Sequence, residues 1–209
     1  MDEQQLRREL ARICRLAFWR GLTAGAGGNV SARVDHNGPI LIKRSGLSFL
    51  DVTPESFLLV SPAGEVLSGK GRPSVELGFH LAVYREHPEI GAVFHGHAPF
   101  ATALAAVAGT FLRGSWSCVP VVPPARPGSP ELIRGVTAGL RRPGAKYVLL
   151  QDHGVVTVGG DIREAFLVAD HLENRARIEL LSWLAWAQGV SPRPGRRTRR
   201  RRPHGDAAL

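Results

Sequence analysis

The feature that most constrains the fold is a pair of histidines, His95 and His97, placed directly after an apolar run. That run, Ile90 to Phe94, predicts a strand, and residues two apart in a strand point to the same face of the sheet. Both imidazoles should therefore project together, in an arrangement suited to holding a metal ion. A second strand-like run, Lys146 to Leu150, leads to His153, which should leave its strand in a similar way. The sequence thus predicts a sheet that presents histidines at the ends of its strands.

A helix that begins near a carboxylate precedes the histidine pair. Ser74 occupies the position expected for an N-cap, and Leu77, Leu81 and Tyr84 recur at helical spacing. This pattern predicts that Glu76 lies in the first turn, at the positive end of the helix dipole. Pattern alone does not show that the glutamate and the three histidines meet, because the residues between His97 and His153 could fold in many ways. A lone histidine is also more often structural than a ligand.

The remaining elements are predicted from apolar periodicity and turn residues. Asp35 to Gly38 has the composition of a hairpin turn. Glu173 is expected to be solvated or salt-bridged on a long helix. Periodicity alone supports only a mixture of α and β structure. The predicted helices are 4–20, 98–108, 129–140 and 161–188, and the further strands are 30–34, 40–43, 57–60, 66–67 and 155–158.

Length and charge indicate one domain with a basic tail. The 209 residues are 44% hydrophobic, enough for one sizeable core, which we assign to residues 1–190. Of the net charge of +9, the last nineteen residues contribute seven arginines and one aspartate. Segment 191–209 is too poor in apolar residues to order itself, so we expect it to be disordered. It could touch a polyanion, but no aromatic residue is interleaved with its arginines, and specific nucleic-acid binding is not predicted.

The composition also favours a soluble cytoplasmic protein. The amino-terminal ten residues, MDEQQLRREL, are charged, and no apolar run is long enough to span a bilayer. The two cysteines, Cys14 and Cys118, are too few for a disulfide framework and are expected to be reduced packing residues.

Four segments in a fixed order carry a resemblance to a known family. They are GNVSAR at 28–33, IKRSG at 42–46, PSVE at 73–76 with His80, and HGH at 95–97 followed by QDHG at 151–154. In these segments the chain resembles the class II aldolase/adducin family, which includes L-fuculose-1-phosphate aldolase and related sugar-phosphate aldolases. The resemblance covers about residue 5 to about residue 188. It implies an α/β fold of three layers, α/β/α, with a mainly antiparallel central sheet, usually assembled as a homotetramer.

The resemblance also implies roles for individual residues. His95, His97 and His153 would hold a divalent metal, most simply Zn2+, with Mn2+, Co2+ or Fe2+ as alternatives. Glu76 would be the catalytic proton shuttle, and His80 would support or pack near it. The substrate's phosphate would be bound by five further residues, namely Gly28, Asn29, Ser45, Gly46 and Ser74.

Two positions depart from the family pattern. Val75 stands where the sugar-phosphate aldolases commonly have a second serine, so one hydroxyl contact to phosphate is missing. Lys43 and Arg44 could add positive charge, or could simply be an exposed pair. Several family aldolases supply a tyrosine from the middle region to protonate the leaving alkoxide, whereas this chain has SWSC at 115–118, and its two tyrosines are Tyr84 and Tyr147.

The implied function is that of a metal-dependent carbon–carbon lyase, an aldolase. It would cleave or form a small ketose or ketose phosphate through a metal-stabilised enediolate. A decarboxylase of the family would form the same kind of enediolate and would tolerate the missing tyrosine better. A 4-epimerase is a third and less favoured alternative. The family's epimerases have Asp at the position of Glu76, whereas Glu is the aldolase-like residue. A non-catalytic adducin-like binding module is the remaining alternative, and it would not need the three histidines.

Overall fold

The fold is built on one eight-stranded sheet. The computed structural model describes residues 1–107, 116 and 119–189. Neighbouring strands are antiparallel except for β6, which is parallel to β7, and the spatial order is β4-β3-β2-β1-β5-β8-β7-β6. The strands are β1 (Asn29–Arg33), β2 (Ile40–Lys43), β3 (Phe57–Val60), β4 (Val66–Ser68), β5 (Ala92–Gly96), β6 (Val121–Val122), β7 (Tyr147–Leu150) and β8 (Gly154–Gly159).

Helices cover both faces of this sheet. They are α1 (Glu3–Trp19), α2 (Leu77–Glu86), α3 (Pro99–Ala106), α4 (Pro130–Leu140) and α5 (Ile162–Ala187). One apolar core joins α1, α3 and α5 to the sheet, and a second joins α2 and α4 to its other face. The predicted three-layer α/β/α arrangement with a mainly antiparallel sheet is therefore confirmed. None of the described helices is long and apolar enough to span a membrane.

Local sequence signals explain most of the element boundaries. The hairpin between β1 and β2 closes on Asn37, whose φ of 64° lies in the left-handed region that asparagine tolerates. Asp2, Ser129 and Asp161 cap the helices that follow them, as their side chains accept backbone N–H bonds. The Arg-rich tail and most of segment 115–118, including Cys118, lie outside the described residues. Cys14 is fully buried in the core, and burial raises the pKa of its thiol to about 12.

The prediction for Glu173 was wrong. Its side chain is 8% exposed and does not lie in solvent. Its two carboxylate oxygens accept hydrogen bonds from the backbone N–H groups of Phe100 (3.0 Å) and Ala101 (2.8 Å), in the first turn of α3. Helical periodicity could not reveal this contact, because the partner helix lies about seventy residues away in sequence. Burial raises the pKa of this carboxyl, although both backbone bonds oppose the shift.

We expect Glu173→Ala to destabilise the fold by about 1 to 3 kcal/mol, because one buried and one part-buried N–H group lose a charged acceptor. Chemical denaturation of the variant and the wild type measures this difference. Glu179→Ala, an exposed position on the same helix, is the matched control and should leave the free energy of unfolding nearly unchanged. Equal stability of both variants would contradict the capping role.

Candidate active site

Strand pairing brings the three predicted histidines together. His95 lies within β5, His97 directly follows that strand, and His153 lies in the tight turn between β7 and β8. Since β5 pairs with β8, Gly96 faces Val155 and the turn carrying His153 lies beside the histidine pair. The sequence could not supply this step, because it depends on which strands are neighbours. The predicted strand 90–94 is displaced by two residues from β5, so His95 is inside the strand rather than after it.

The imidazole rings form a compact cluster. The ring centres are 5.1 Å apart for His95 and His97, 4.8 Å for His95 and His153, and 5.2 Å for His97 and His153. One nitrogen from each ring can be chosen such that all three lie within 4.8 Å of one another. Nitrogen atoms this close can converge on a single ion.

Hydrogen bonding leaves one nitrogen of His95 available. Nδ1 donates to the backbone oxygen of Val155 at 2.9 Å, so the neutral ring carries its proton there and Nε2 has a free lone pair. Burial, and then the neighbouring histidines, hold the pKa of His95 well below its usual value. Burial and His153 likewise lower the pKa of His97. Both rings are therefore neutral at pH 7, which is the form that binds a metal.

Glu76 lies against this cluster, although not in the predicted first turn. Helix α2 begins at Leu77 and Glu76 occupies the N-cap position, because Ser74 to Glu76 form a turn in which Ser74 Oγ accepts the Glu76 N–H at 3.2 Å. The Glu76 side chain is buried, with Oε2 3.2 Å from His95 Nε2 and Oε1 3.7 Å from His153 Nε2. Asn29 Nδ2 donates to Oε2 at 2.8 Å.

Two buried polar atoms at this site lack a partner. Glu76 Oε1 and His95 Nε2 have no hydrogen bond within the part of the chain that the structure describes. Such atoms are costly to bury unless something satisfies them. Neutral imidazole nitrogens beside a carboxylate form a donor set that fits a divalent cation, so the residues present are suited to a metal.

The five residues predicted for phosphate binding line the same cavity as the cluster. Its volume is about 200 Å3, and its wall includes Gly27, Gly28, Asn29, Lys43, Arg44, Ser45, Gly46, Ser74, Val75, Glu76, Pro127, His97 and His153. Backbone conformation explains two of the glycines, since φ is +75° at Gly28 and +79° at Gly46. A Cβ on Gly28 would also lie 2.8 Å from the backbone oxygen of His95, so this loop can approach β5 only as glycine.

Lys43 is a feature that sequence reasoning missed. The sequence leaves open an exposed pair with Arg44, yet Lys43 is 1% exposed. Its Nζ donates to the backbone oxygens of Leu47 (2.6 Å) and Arg44 (3.3 Å), and burial lowers its pKa. The ammonium thus holds the loop that carries Ser45 and Gly46. Its place at the end of an apolar strand gave no signal of this burial.

His80 has the supporting position expected for it. Its ring is fully buried, hydrogen bonds to Asn29 Oδ1 through Nε2, and is 2.7 Å from Ser31 Oγ through Nδ1. Burial lowers the pKa of His80 to about 3, so the ring is neutral. Asn29, which contacts both His80 and Glu76, therefore connects the cavity to a buried polar group behind it.

Comparisons with known proteins show what the chain as a whole is similar to. Residues 8–180 match the family model of the class II aldolase and adducin N-terminal domain. The chain is 34% identical over 189 residues to the 5-methylthioribulose-1-phosphate/5-deoxyribulose-1-phosphate aldolase of Escherichia coli O45:K1, covering 84% of each. It is 33% identical over 188 residues to the 3-oxo-tetronate 4-phosphate decarboxylase of Pectobacterium atrosepticum, covering 85% of this chain and 84% of the relative. A solved L-fuculose 1-phosphate aldolase superposes with a TM-score of 0.78 at 27% identity, covering 86% of this chain and 87% of that one.

Proposed function

Because the chain belongs to the class II aldolase and adducin family, we propose that it is a metal-dependent aldolase acting on a small ketose phosphate. The observation that carries this proposal is the cluster of three imidazoles beside the buried carboxylate of Glu76, at a cavity that His97, His153 and Glu76 line. A binding module without catalysis would have no use for this combination of groups. The proposed reaction breaks or forms the bond next to the ketone carbon.

We propose His95, His97 and His153 as the metal ligands, and zinc as the metal. Three histidines with an open side are typical of catalytic zinc sites, although manganese, cobalt or iron would also suit imidazole ligands. When bound, the ion would draw electron density from a carbonyl and stabilise negative charge on its oxygen. The Nδ1–H bond from His95 to Val155 holds that ring in the orientation this role requires.

Glu76 is proposed as the group that moves a proton. Its Oε2 is held by Asn29, whereas Oε1 has no partner among the residues described and is free to take a proton from a substrate hydroxyl or carbon. The same oxygen can return the proton to the carbanion equivalent that remains after bond cleavage. Its burial excludes water, which would otherwise compete for the proton.

The phosphate end of the substrate is proposed to bind at the glycine-rich loop. Gly28, Asn29, Ser45, Gly46 and Ser74 line the cavity, and Arg44 lines it as well. Backbone N–H groups of glycine-containing loops and serine hydroxyls are common ligands of phosphate. The buried ammonium of Lys43 adds positive charge close to the loop that carries Ser45 and Gly46.

We expect Val75→Ser to strengthen the binding of a phosphorylated substrate. Val75 lines the cavity and is 71% exposed, so a hydroxyl there costs little stability. A hydrogen bond to a charged acceptor should lower the KM by about 10-fold. Val75→Ala is the control, since it removes the same methyl groups without adding a donor. If both variants have the wild-type KM, the phosphate is not bound beside Val75.

Decarboxylation is the second candidate. It is favoured by the likeness to a 3-oxo-tetronate 4-phosphate decarboxylase, and by the lack of a tyrosine at 115–118, a segment of which the structure describes Trp116 alone. The same metal ligands and Glu76 would serve in this reaction, and carbon dioxide would leave in place of an aldehyde.

Deuterium exchange tests the enediolate that both candidates share, and a second assay separates them. Metal-loaded protein is incubated with dihydroxyacetone phosphate in deuterated water and followed by NMR. Stereospecific uptake of deuterium would support enediolate formation from this ketose phosphate, which an aldolase or a decarboxylase could catalyse. Release of carbon dioxide from a phosphorylated 3-oxo acid would then favour the decarboxylase, and condensation of dihydroxyacetone phosphate with an aldehyde would favour the aldolase. Without exchange, the aldolase proposal fails for this ketose.

The proposal includes a cytoplasmic homotetramer. Apolar side chains stay exposed on α5 and the end of α1, among them Trp19 (75%) and Trp186 (67%), and such surface is typical of subunit contacts. Light scattering with size-exclusion chromatography measures the assembly directly.

A further inference from the structure

A line of buried polar side chains leads away from Glu76 into the layer between the sheet and α2. Asn29 joins Glu76 to His80, His80 Nδ1 lies 2.7 Å from Ser31 Oγ, and Ser31 Oγ lies 2.7 Å from the hydroxyl of Tyr84. All five side chains are at most 5% exposed. They come from β1, the N-terminal end of α2 and the body of α2, and the proposed phosphate and metal sites use only Asn29 and Glu76.

The direction of each hydrogen bond follows from the carboxylate. An ionised Glu76 can only accept, so the amide of Asn29 turns its NH2 to Glu76 and its oxygen to His80. His80 must then donate from Nε2, and its Nδ1 must accept from the hydroxyl of Ser31. Ser31 Oγ in turn accepts from the hydroxyl of Tyr84. Every donor in the line therefore points toward Glu76.

The far end of the line is fixed to the scaffold. The guanidinium of Arg33 lies 4.8 Å from the centre of the Tyr84 ring and donates to the backbone oxygens of Tyr84 and Ile90. The ring of His80 is also stacked on Phe79, with centres 4.5 Å apart and an 18° angle between planes. None of these groups is free to turn without breaking buried contacts.

We propose that His80, Ser31 and Tyr84 are positioning residues that fix the amide of Asn29, and through it decide which oxygen of Glu76 is free for proton transfer. This inference rests on the proposed role of Glu76. With the Asn29 NH2 held toward Oε2, only Oε1 is left for the substrate. A rotated amide would place its oxygen against the carboxylate of Glu76 and repel it from its position.

The line orients Glu76 and does not conduct protons to it. An amide such as Asn29 can pass a proton only by converting to an unstable tautomer, so it interrupts any relay from Tyr84. Proton exchange with solvent must occur through the cavity. The contribution of His80 is therefore geometric, and its loss should lower kcat much more than it changes the binding of substrate or metal.

We expect His80→Phe to lower the rate of deuterium exchange into dihydroxyacetone phosphate by about 10- to 100-fold, because a misplaced acid–base group loses effective molarity. The metal content should stay within about 2-fold of wild type, and the half-saturating concentration should change much less than the rate, since His80 belongs to neither site and reaches the phosphate site only through Asn29. His80→Gln should recover most of the rate, because its amide can both donate to Asn29 and accept from Ser31.

A double-mutant cycle tests whether His80 acts through Asn29. In an Asn29→Ala background, His80→Phe should have no further effect on the rate. Thr157→Val is the control for stability, because Thr157 is fully buried and donates to the backbone oxygen of Ala165 on the opposite face of the sheet. If this control slows exchange as much as His80→Phe does, or if His80→Phe loses its metal, the positioning role is overturned.

Imidazole NMR tests the direction of the His80 hydrogen bonds independently of catalysis. Long-range proton–nitrogen spectra of the metal-loaded wild type should show His80 as a neutral ring protonated at Nε2, and Asn29→Ala should alter that resonance. A ring protonated at Nδ1 would overturn the proposed direction of the hydrogen bonds. If the wild type fails to exchange deuterium while His80 shows the expected tautomer, the assigned ketose fails and the proposed orientation of the Asn29 amide stands.

Discussion

Glu76→Gln should retain the metal and the fold and lose turnover by about 100- to 10,000-fold, the range typical of general acid–base groups. Glutamine has the same shape as glutamate, and its amide oxygen can still accept from Asn29 Nδ2, which lies 2.8 Å from Oε2 in the wild type. The atom at the position of Oε1 then becomes an NH2 group, which cannot take a proton. The exchange assay measures the rate, and elemental analysis measures the metal.

The Glu76→Gln variant is informative because metal binding and turnover should be affected separately. Binding of the ion depends on the three imidazoles, whereas proton transfer depends on the one unpartnered carboxylate oxygen. Glu65→Gln, at an exposed turn, is the control for removing a negative charge and should have wild-type activity. Turnover by Glu76→Gln at the wild-type rate would exclude Glu76 as the proton shuttle and leave the reaction without an assigned base.

The sequence predicted the helices and strands well, because their signals are local. The helix over 129–140 has Ser129 at its N-cap, and the strand over 40–43 was predicted with the bounds that β2 has. The predicted start of α2 was wrong. Ser74 Oγ accepts the N–H of Glu76 before the helix begins, so Glu76 is the N-cap and does not lie in the first helical turn. Capping preferences identify a region in which a helix begins and do not distinguish neighbouring polar residues.

Contacts between distant segments could not be predicted from pattern. The pairing of β5 with β8, which puts His153 beside His95, was accessible only through resemblance to a family. The burial of Lys43 and the capping of α3 by Glu173 gave no local signal, since each depends on elements that meet only in the folded sheet. Buried polar groups are the residues for which the periodicity of the chain carries least information, and three of them, Asn29, Lys43 and Glu76, line the cavity.

His95→Gln should lose both the metal and turnover. His95 is fully buried near the end of β5, and Nε2 is its only nitrogen not used by the backbone of Val155. A glutamine amide can preserve the bond to Val155 but cannot supply a comparable nitrogen lone pair, so affinity for zinc should fall by more than about 100-fold. Competition with a chelating dye measures that affinity, and adding zinc to chelator-treated wild type should restore activity that the variant does not regain.

The control for this loss is His36→Gln, an exposed histidine in the β1–β2 turn that should keep full metal content. Comparing the two glutamine variants separates the site from adventitious binding by surface imidazoles. If His95→Gln still bound one equivalent of zinc tightly, the three histidines would not be the ligand set. Loss of metal together with turnover, set against loss of turnover alone in Glu76→Gln, would distinguish an enzyme that needs both groups from a binding module, which has no turnover to lose.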